Sequence, residues 1–136
     1  ASSGHSATNA SSGHSATNAS SGHSAKNASS GHYATNASSG HYAKNASSGD
    51  SAKNASSGDY ATNAMEGSHS VSVDAGHNGK AKGKIGSWFC LSEWQRDNKL
   101  DRWIPLCVKA TQIDGKKIKE DVWYTLKGGE FTEVTE

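Results

Sequence analysis

Residues 1–63 read as seven consecutive blocks of nine: ASSGHSATN, ASSGHSATN, ASSGHSAKN, ASSGHYATN, ASSGHYAKN, ASSGDSAKN and ASSGDYATN. Six places in the block never change: Ala, Ser, Ser, Gly, a second Ala and Asn. Variation is confined to His or Asp at the fifth place, Ser or Tyr at the sixth, and Thr or Lys at the eighth. Self-similarity at a fixed period is the signature of stacked architectures. The pattern predicts that the invariant small residues face a narrow interior and the variable ones face water. A flexible linker of similar composition would be disordered, but it would have no need to hold register through seven units.

A helix does not fit the period. At 3.6 residues per turn, positions nine apart fall about 180° out of phase, which smears Ala7, Ala16 and Ala25 around the cylinder. Gly and Asn in every block weaken a helix further. A parallel β-solenoid fits better. In it His-Ser-Ala-Thr-Asn forms a short strand with alternating faces, and Ser-Ser-Gly turns the corner. Ala7 and its equivalents point inward, and Asn9, Asn18 and Asn27 form ladders. Gly4 and its equivalents supply a positive φ at no steric cost. Nine residues are too few to close a coil, so two units, or 18 residues, per coil are expected, with a three-sided coil of 27 as the alternative.

The rest of the 136-residue chain differs in composition. All 15 Leu, Ile, Val and Phe residues lie after residue 70. The first 63 residues therefore carry neither a conventional apolar core nor the roughly 20 apolar residues of a transmembrane helix. The domain organisation expected is a repeat solenoid over 1–66, a last irregular turn over 67–86, and an antiparallel β cap over 87–136. Ser70-Val71-Ser72-Val73 alternates like a half-buried strand. Residues 88–113 suggest a hairpin that pairs Trp94 with Trp103, Leu91 with Leu106 and Cys90 with Cys107. Its aliphatic face of Phe89, Leu91, Ile104, Leu106 and Val108 would close the solenoid. A second hairpin joins 122–126 to 131–134 across Lys127-Gly128-Gly129-Glu130. The fold class is thus all-β, a parallel solenoid capped by antiparallel hairpins.

The functional signals are fewer. Basic and acidic residues nearly balance, 14 against 13, without the basic stripe of a nucleic-acid binder; neither nucleic acid nor membrane is an expected partner. No Gly-x-Ser-x-Gly, phosphate loop or His-Glu-x-x-His is present, so no enzyme activity is expected. His5, His14, His23, His32 and His41 recur every nine residues. Stacked at the strand spacing of ~4.8 Å, pairs of these imidazoles suit a surface Zn, Cu or Ni ion. A solvent-facing place that accepts His or Asp alike is the simpler reading, because a closed zinc site needs four ligands. Cys90 and Cys107 form either a cross-strand disulfide or two thiols. Tyr33, Tyr42 and Tyr60 offer a face for a glycan or protein ligand. The chain begins at Ala1 and its single Met is Met65, so a processed, partial or engineered chain is expected.

Ser57-Gly58-Asp59-Tyr60-Ala61-Thr62-Asn63, and more closely Gly67-Ser68-His69-Ser70-Val71-Ser72-Val73-Asp74-Ala75-Gly76, resemble the head repeats of trimeric autotransporter adhesins. Similar strings occur in bacterial and phage surface or tail-fibre proteins. The resemblance implies a non-catalytic stalk or display surface, outside the cell or on a virion. The chain departs from that family in its even period, which leaves a monomer or a homotrimer open, and in His where Asp is usual. The alternative function is a natural or engineered metal-binding scaffold built on the His columns.

Stacked imidazoles repel once protonated. Amide hydrogen exchange over residues 1–45 should therefore accelerate between pH 7.5 and 5, after correction for intrinsic rates. Unchanged protection would dismiss the stacked columns.

Overall fold

The computed structural model describes residues 1–135. Thirteen strands run in chain order: β1 Thr8–Ser11, β2 Thr17–Ser20, β3 Lys26–Ser29, β4 Thr35–Ser38, β5 Lys44–Ser47, β6 Lys53–Ser56, β7 Thr62–Met65, β8 Val71–Asp74, β9 Lys80–Lys82, β10 Trp88–Asp97, β11 Arg102–Gln112, β12 Trp123–Lys127 and β13 Glu130–Val134. Odd strands β1 to β9 stack in one sheet, extended by β12 and β13. Even strands β2 to β8 stack in the other, followed by β10 and β11. Residue i pairs with residue i+18 throughout the repeats, as in Asn9 with Asn27 and Asn18 with Asn36. The coil is two nine-residue units, as the period implied, and the strands of the stack make five coils.

The strand itself is placed differently from the sequence expectation. It is Thr/Lys-Asn-Ala-Ser, and His lies in the turn before it. The carbonyl of Gly4 accepts the Ala7 amide at 3.1 Å, closing a four-residue turn with His5 at its first corner. Alternation from this start sends Asn and the first Ser of the next block inward. The first Ala of each block faces outward, contrary to the expectation for all invariant small residues: Ala28, Ala46 and Ala55 are exposed while Asn27, Asn45 and Asn54 are buried.

Glycine is required for a reason other than positive φ. A Cβ on Gly22 or Gly40 would overlap the carbonyl oxygen of the glycine one coil earlier. The corner backbones approach too closely to admit any side chain. The positive φ falls instead on the sixth place, between +55° and +59° at Tyr33, Tyr42, Ser51, Tyr60, His69 and Asn78. This conformation disfavours L-residues by about 1–2 kcal/mol, and a hydrogen bond to the next coil offsets it. The Tyr33 amide donates to the Asp50 carbonyl at 3.0 Å, and that of Tyr42 to Asp59 at 2.9 Å. Ser24 does not share this φ, and its amide donates backward, to the His5 carbonyl at 2.8 Å.

The interior is polar. Asn36 Nδ2 donates to Asn54 Oδ1 at 3.1 Å, Ser29 Oγ at 3.1 Å and the Ala46 carbonyl at 2.7 Å. Its own Oδ1 accepts from Asn18. Two such ladders run from Asn9 and Asn18 down to Asn63 and Asn54. Between them Ala25, Ala34, Ala43, Ala52 and Ala61 are fully buried.

The nine-residue register continues past residue 63 with altered residues. Gly67 and Gly76 keep the corner, and β8 and β9 keep the 18-residue pairing. Because register decides facing, Ser72 and Asp74 point inward while Val71 and Val73, 44% and 42% exposed, point to solvent. This reverses the hydrophobic-in reading of that strand. The core then turns apolar: Met65, Ala81, Phe89, Leu91, Ile113, Tyr124 and Leu126 form one buried cluster. Phe89 lies 6.0 Å from the Tyr124 ring and packs edge-on to Phe131 at 5.3 Å.

The first four residues of β10 are still a rung, paired in parallel with β8. Beyond them both sheets switch to antiparallel neighbours, β11 on one and β12–β13 on the other. The β12–β13 hairpin and its Gly128-Gly129 turn, both at positive φ, follow the sequence reading. The β10–β11 register does not. Cys90 faces Ala110, Cys107 faces Glu93, and a bulge at Glu93/Trp94 shifts the remainder. Two features move the register: the bulge, and an Asn98–Asp101 loop in which Asp97 Oδ1 accepts the Lys99 amide at 2.9 Å. Phe89 and Leu91 are buried as expected, but Leu106 and Val108 are 57% and 62% exposed. Pro105 lies within β11, which forms the sheet edge, in keeping with the defence of edges against further pairing.

One ionisable group is sealed into the junction. Asp74 replaces the repeat's inward Ser and is 1% exposed. Gly79 replaces the repeat's Ala, and a Cβ there would overlap the Asp74 carboxyl. Oδ1 accepts the Gly76 amide at 3.2 Å, while Oδ2 has no partner. Burial pushes this carboxyl up to about 7, against the lowering effect of the Gly76 amide and the nearby Ser56 hydroxyl and helped by the nearby Asp59 charge.

Two outcomes follow. Asn36→Ala takes one of three acceptors from Asn18 Nδ2 and removes the donor to Asn54 Oδ1, Ser29 Oγ and the Ala46 carbonyl, so urea unfolding should show a loss of about 3 kcal/mol; Ala55→Ser, on the outward face, should stay within about 0.5 kcal/mol. The folded state holds the Asp74 proton to a higher pH than the unfolded chain does. Its contribution to stability is therefore full below about pH 4 and declines to about pH 7, at up to ~1.4 kcal/mol per pH unit. Asp74→Asn should remove that slope in urea titrations from pH 4 to 8, and parallel profiles for the two proteins would refute the assignment.

Candidate functional site

The fifth place of each block lies at an exposed turn corner, and the 18-residue coil sorts its residues into two columns. His5, His23 and His41 lead to Asp59 and then His77; His14 and His32 lead to Asp50 and Ser68. The ring centroids of His5 and His23 are 5.0 Å apart and nearly parallel. Those of His23 and His41 lie 5.7 Å apart, and those of His14 and His32 5.8 Å. In the first three units Nδ1 sits 3.2–3.3 Å from the neighbouring Ser Oγ. At the column ends, His41 Nδ1 lies 3.7 Å from Asp59 Oδ2, and His32 Nδ1 lies 4.0 Å from Asp50 Oδ2.

The five predicted metal ligands are thus brought together two at a time along a line. No cluster of three or more His, Cys, Asp or Glu able to hold a metal occurs among the described residues. The two Asp residues do more than occupy a solvent-facing place. Asp50 Oδ1 accepts the Ser68 amide at 2.7 Å, and Asp59 Oδ1 accepts the His77 amide at 2.9 Å. Each clips a regular coil to the altered turn beyond it. Extending the nine-residue count past residue 63 places His77 in the first column, a signal present in the sequence but not used there.

A line of aromatic rings runs beside that column. Tyr42 and Tyr60 stack at 5.1 Å with their planes 13° apart. Tyr60 meets His77 edge-on at 5.6 Å, and His77 packs on Trp103 at 4.1 Å. Tyr33 stands on the other column, 5.3 Å from His14. Cys90 and Cys107 are free thiols, and burial raises the pKa of Cys90.

A groove of about 540 Å3 lies on the outer face of the odd-strand sheet. Outward Ala46, Ala64 and Thr62 form its flat floor, and Tyr42 and Tyr60 rise along one side. The cap closes one end with Trp123, whose ring carries Lys80 Nζ at 5.2 Å and Lys82 Nζ at 5.0 Å. The sequence reading had Tyr42 and Tyr60 as binding residues but not the lysines or Trp123. Comparison with protein-family models, curated proteins and solved structures finds no match to this chain.

Proposed function

We propose that the chain is a non-catalytic structural β-solenoid, a rigid stalk or display surface of the kind carried on bacterial or phage fibres and adhesins. The observation that carries this reading is the 18-residue ladder. Every rung from β1 to β9 repeats the same backbone pairing, while over residues 1–63 sequence variation is held to the fifth, sixth and eighth places of the block. Such a stack is quasi-one-dimensional, so coils can be added without disturbing those already present. The His–Ser contacts recur on three exposed turns, which makes them a property of the repeat rather than of a single reactive centre.

Duplicating residues 10–45, which amounts to two coils, should lengthen the particle in X-ray scattering by about 10 Å at the strand spacing and leave the melting temperature no lower. Loss of folding or an unchanged length would defeat the spacer reading. The second reading, a metal-binding scaffold, draws on the near-parallel His5–His23 stack. A zinc titration by calorimetry at pH 7.5, beside a variant with all five repeat His residues changed to Gln, decides between the two. The stalk reading expects no saturable heat. Micromolar binding at integral stoichiometry, lost in the variant, would replace it with the scaffold.

A further inference from the structure

The two sheet faces are not equivalent. On the odd-strand face the eighth place reads Thr8, Lys26, Lys44, Thr62, Lys80, with Lys82 two residues further on. On the even-strand face the same place reads Thr17, Thr35, Lys53, Val71 and Trp88. The chain is close to neutral overall, yet four lysines gather on one face, and none of them forms a salt bridge among the described residues. Among the described residues, Glu66 is the single carboxylate lining the groove that runs along this face.

We infer that the groove bounded by Tyr42, Tyr60, Lys44, Lys80, Lys82 and Trp123 binds an acidic polysaccharide, a chain of sugars bearing carboxylates, laid along the solenoid axis. Charge complementarity selects an anion. The geometry selects which anion. Lys44 and Lys80 are two coils apart, about 10 Å at the strand spacing, with the Thr62 hydroxyl between them. That interval suits carboxylates on alternate sugars. It suits nucleic acid poorly, since phosphates follow about every 3.4 Å along each strand of a duplex. Single-strand binders also offer ring faces for bases to stack on, whereas Tyr42 and Tyr60 each turn one face to the other and have His23 and His77 within 5.6 Å, which leaves the ring edges as their surface toward the groove. Those edges, with the Ala46 and Ala64 methyls, match the alternating C–H and hydroxyl surface of a pyranose. Trp123 ends the run and holds the Lys80 and Lys82 ammoniums at its ring.

The test uses the whole chain and an oligosaccharide of alternating glucuronate and N-acetylglucosamine, beside a neutral chitin oligomer and single-stranded oligo-dT. Amide shifts should map to the odd-strand face. Three changes borrow residues that the repeat already uses at these places, so the fold is kept: Lys44→Thr, Lys80→Thr and Tyr60→Ser. Each should weaken the uronate oligomer by about fivefold or more, whereas Lys53→Thr on the opposite face should leave it unchanged. Binding should fall with added salt. Three results would each overturn the assignment: no shifts at millimolar uronate oligomer, equal binding of the neutral oligomer, or tighter binding of oligo-dT. The stalk reading rests on coil duplication instead, so either can fail alone.

Discussion

An asparagine amide that donates to the identical asparagine one coil later is the interaction on which this structure depends. In water such a bond contributes little, but inside the stack each Nδ2 left without an acceptor would cost about 1–3 kcal/mol. Satisfying all of them requires identical residues to lie directly above one another, which ties the chain to a strict period. The Ser Oγ atoms and Ala carbonyls that share each Nδ2 add partners from the neighbouring strands, so a slip of one residue would break three contacts per rung. The same close stacking removes the space for a Cβ at the corner glycine.

This core cannot end itself, because its last rung would expose unpaired backbone and amide groups. The chain ends it by degrees. Met65 and Asp74 replace inward serines, and Gly83 and Gly79 leave them room. The apolar cluster around Phe89 and Tyr124 then takes over from the ladder. The two sheets finish separately, each on an antiparallel hairpin. Glu93 holds the two hairpins together by accepting the Gly128 and Gly129 amides. Ser72 Oγ and Asp74 Oδ2, both buried without partners, mark where the polar ladder stops and the apolar core has not yet begun.

Surface chemistry follows from the same geometry. Any outward place repeated every nine residues becomes two lines, one on each side, with members a strand spacing apart. The His columns are such lines, and a line supplies two ligands at a time rather than a cage. The groove differs because the cap contributes to it: Trp123 arrives on β12, which pairs with β9 and continues the flat sheet upward as a wall.

The sequence by itself determined the two-unit coil, the Asn ladders, the inward Ala7 series and the Gly128-Gly129 hairpin, because each is a matter of period or of short-range turn chemistry. It also determined that the first half lacks an apolar core. Which residues of the block form the strand was decided by tertiary structure, since the alternation of faces can start at either of two places and only stacking selects one. That choice turned Val71 and Val73 outward and put the positive φ on Tyr33 rather than on Gly4. The β10–β11 register was likewise set by contact, because its first four residues are already committed as a rung on β8 before the hairpin closes. The lysine–tryptophan groove joins residues more than 40 positions apart, and no periodicity in the chain announces a meeting that depends on where the cap folds back.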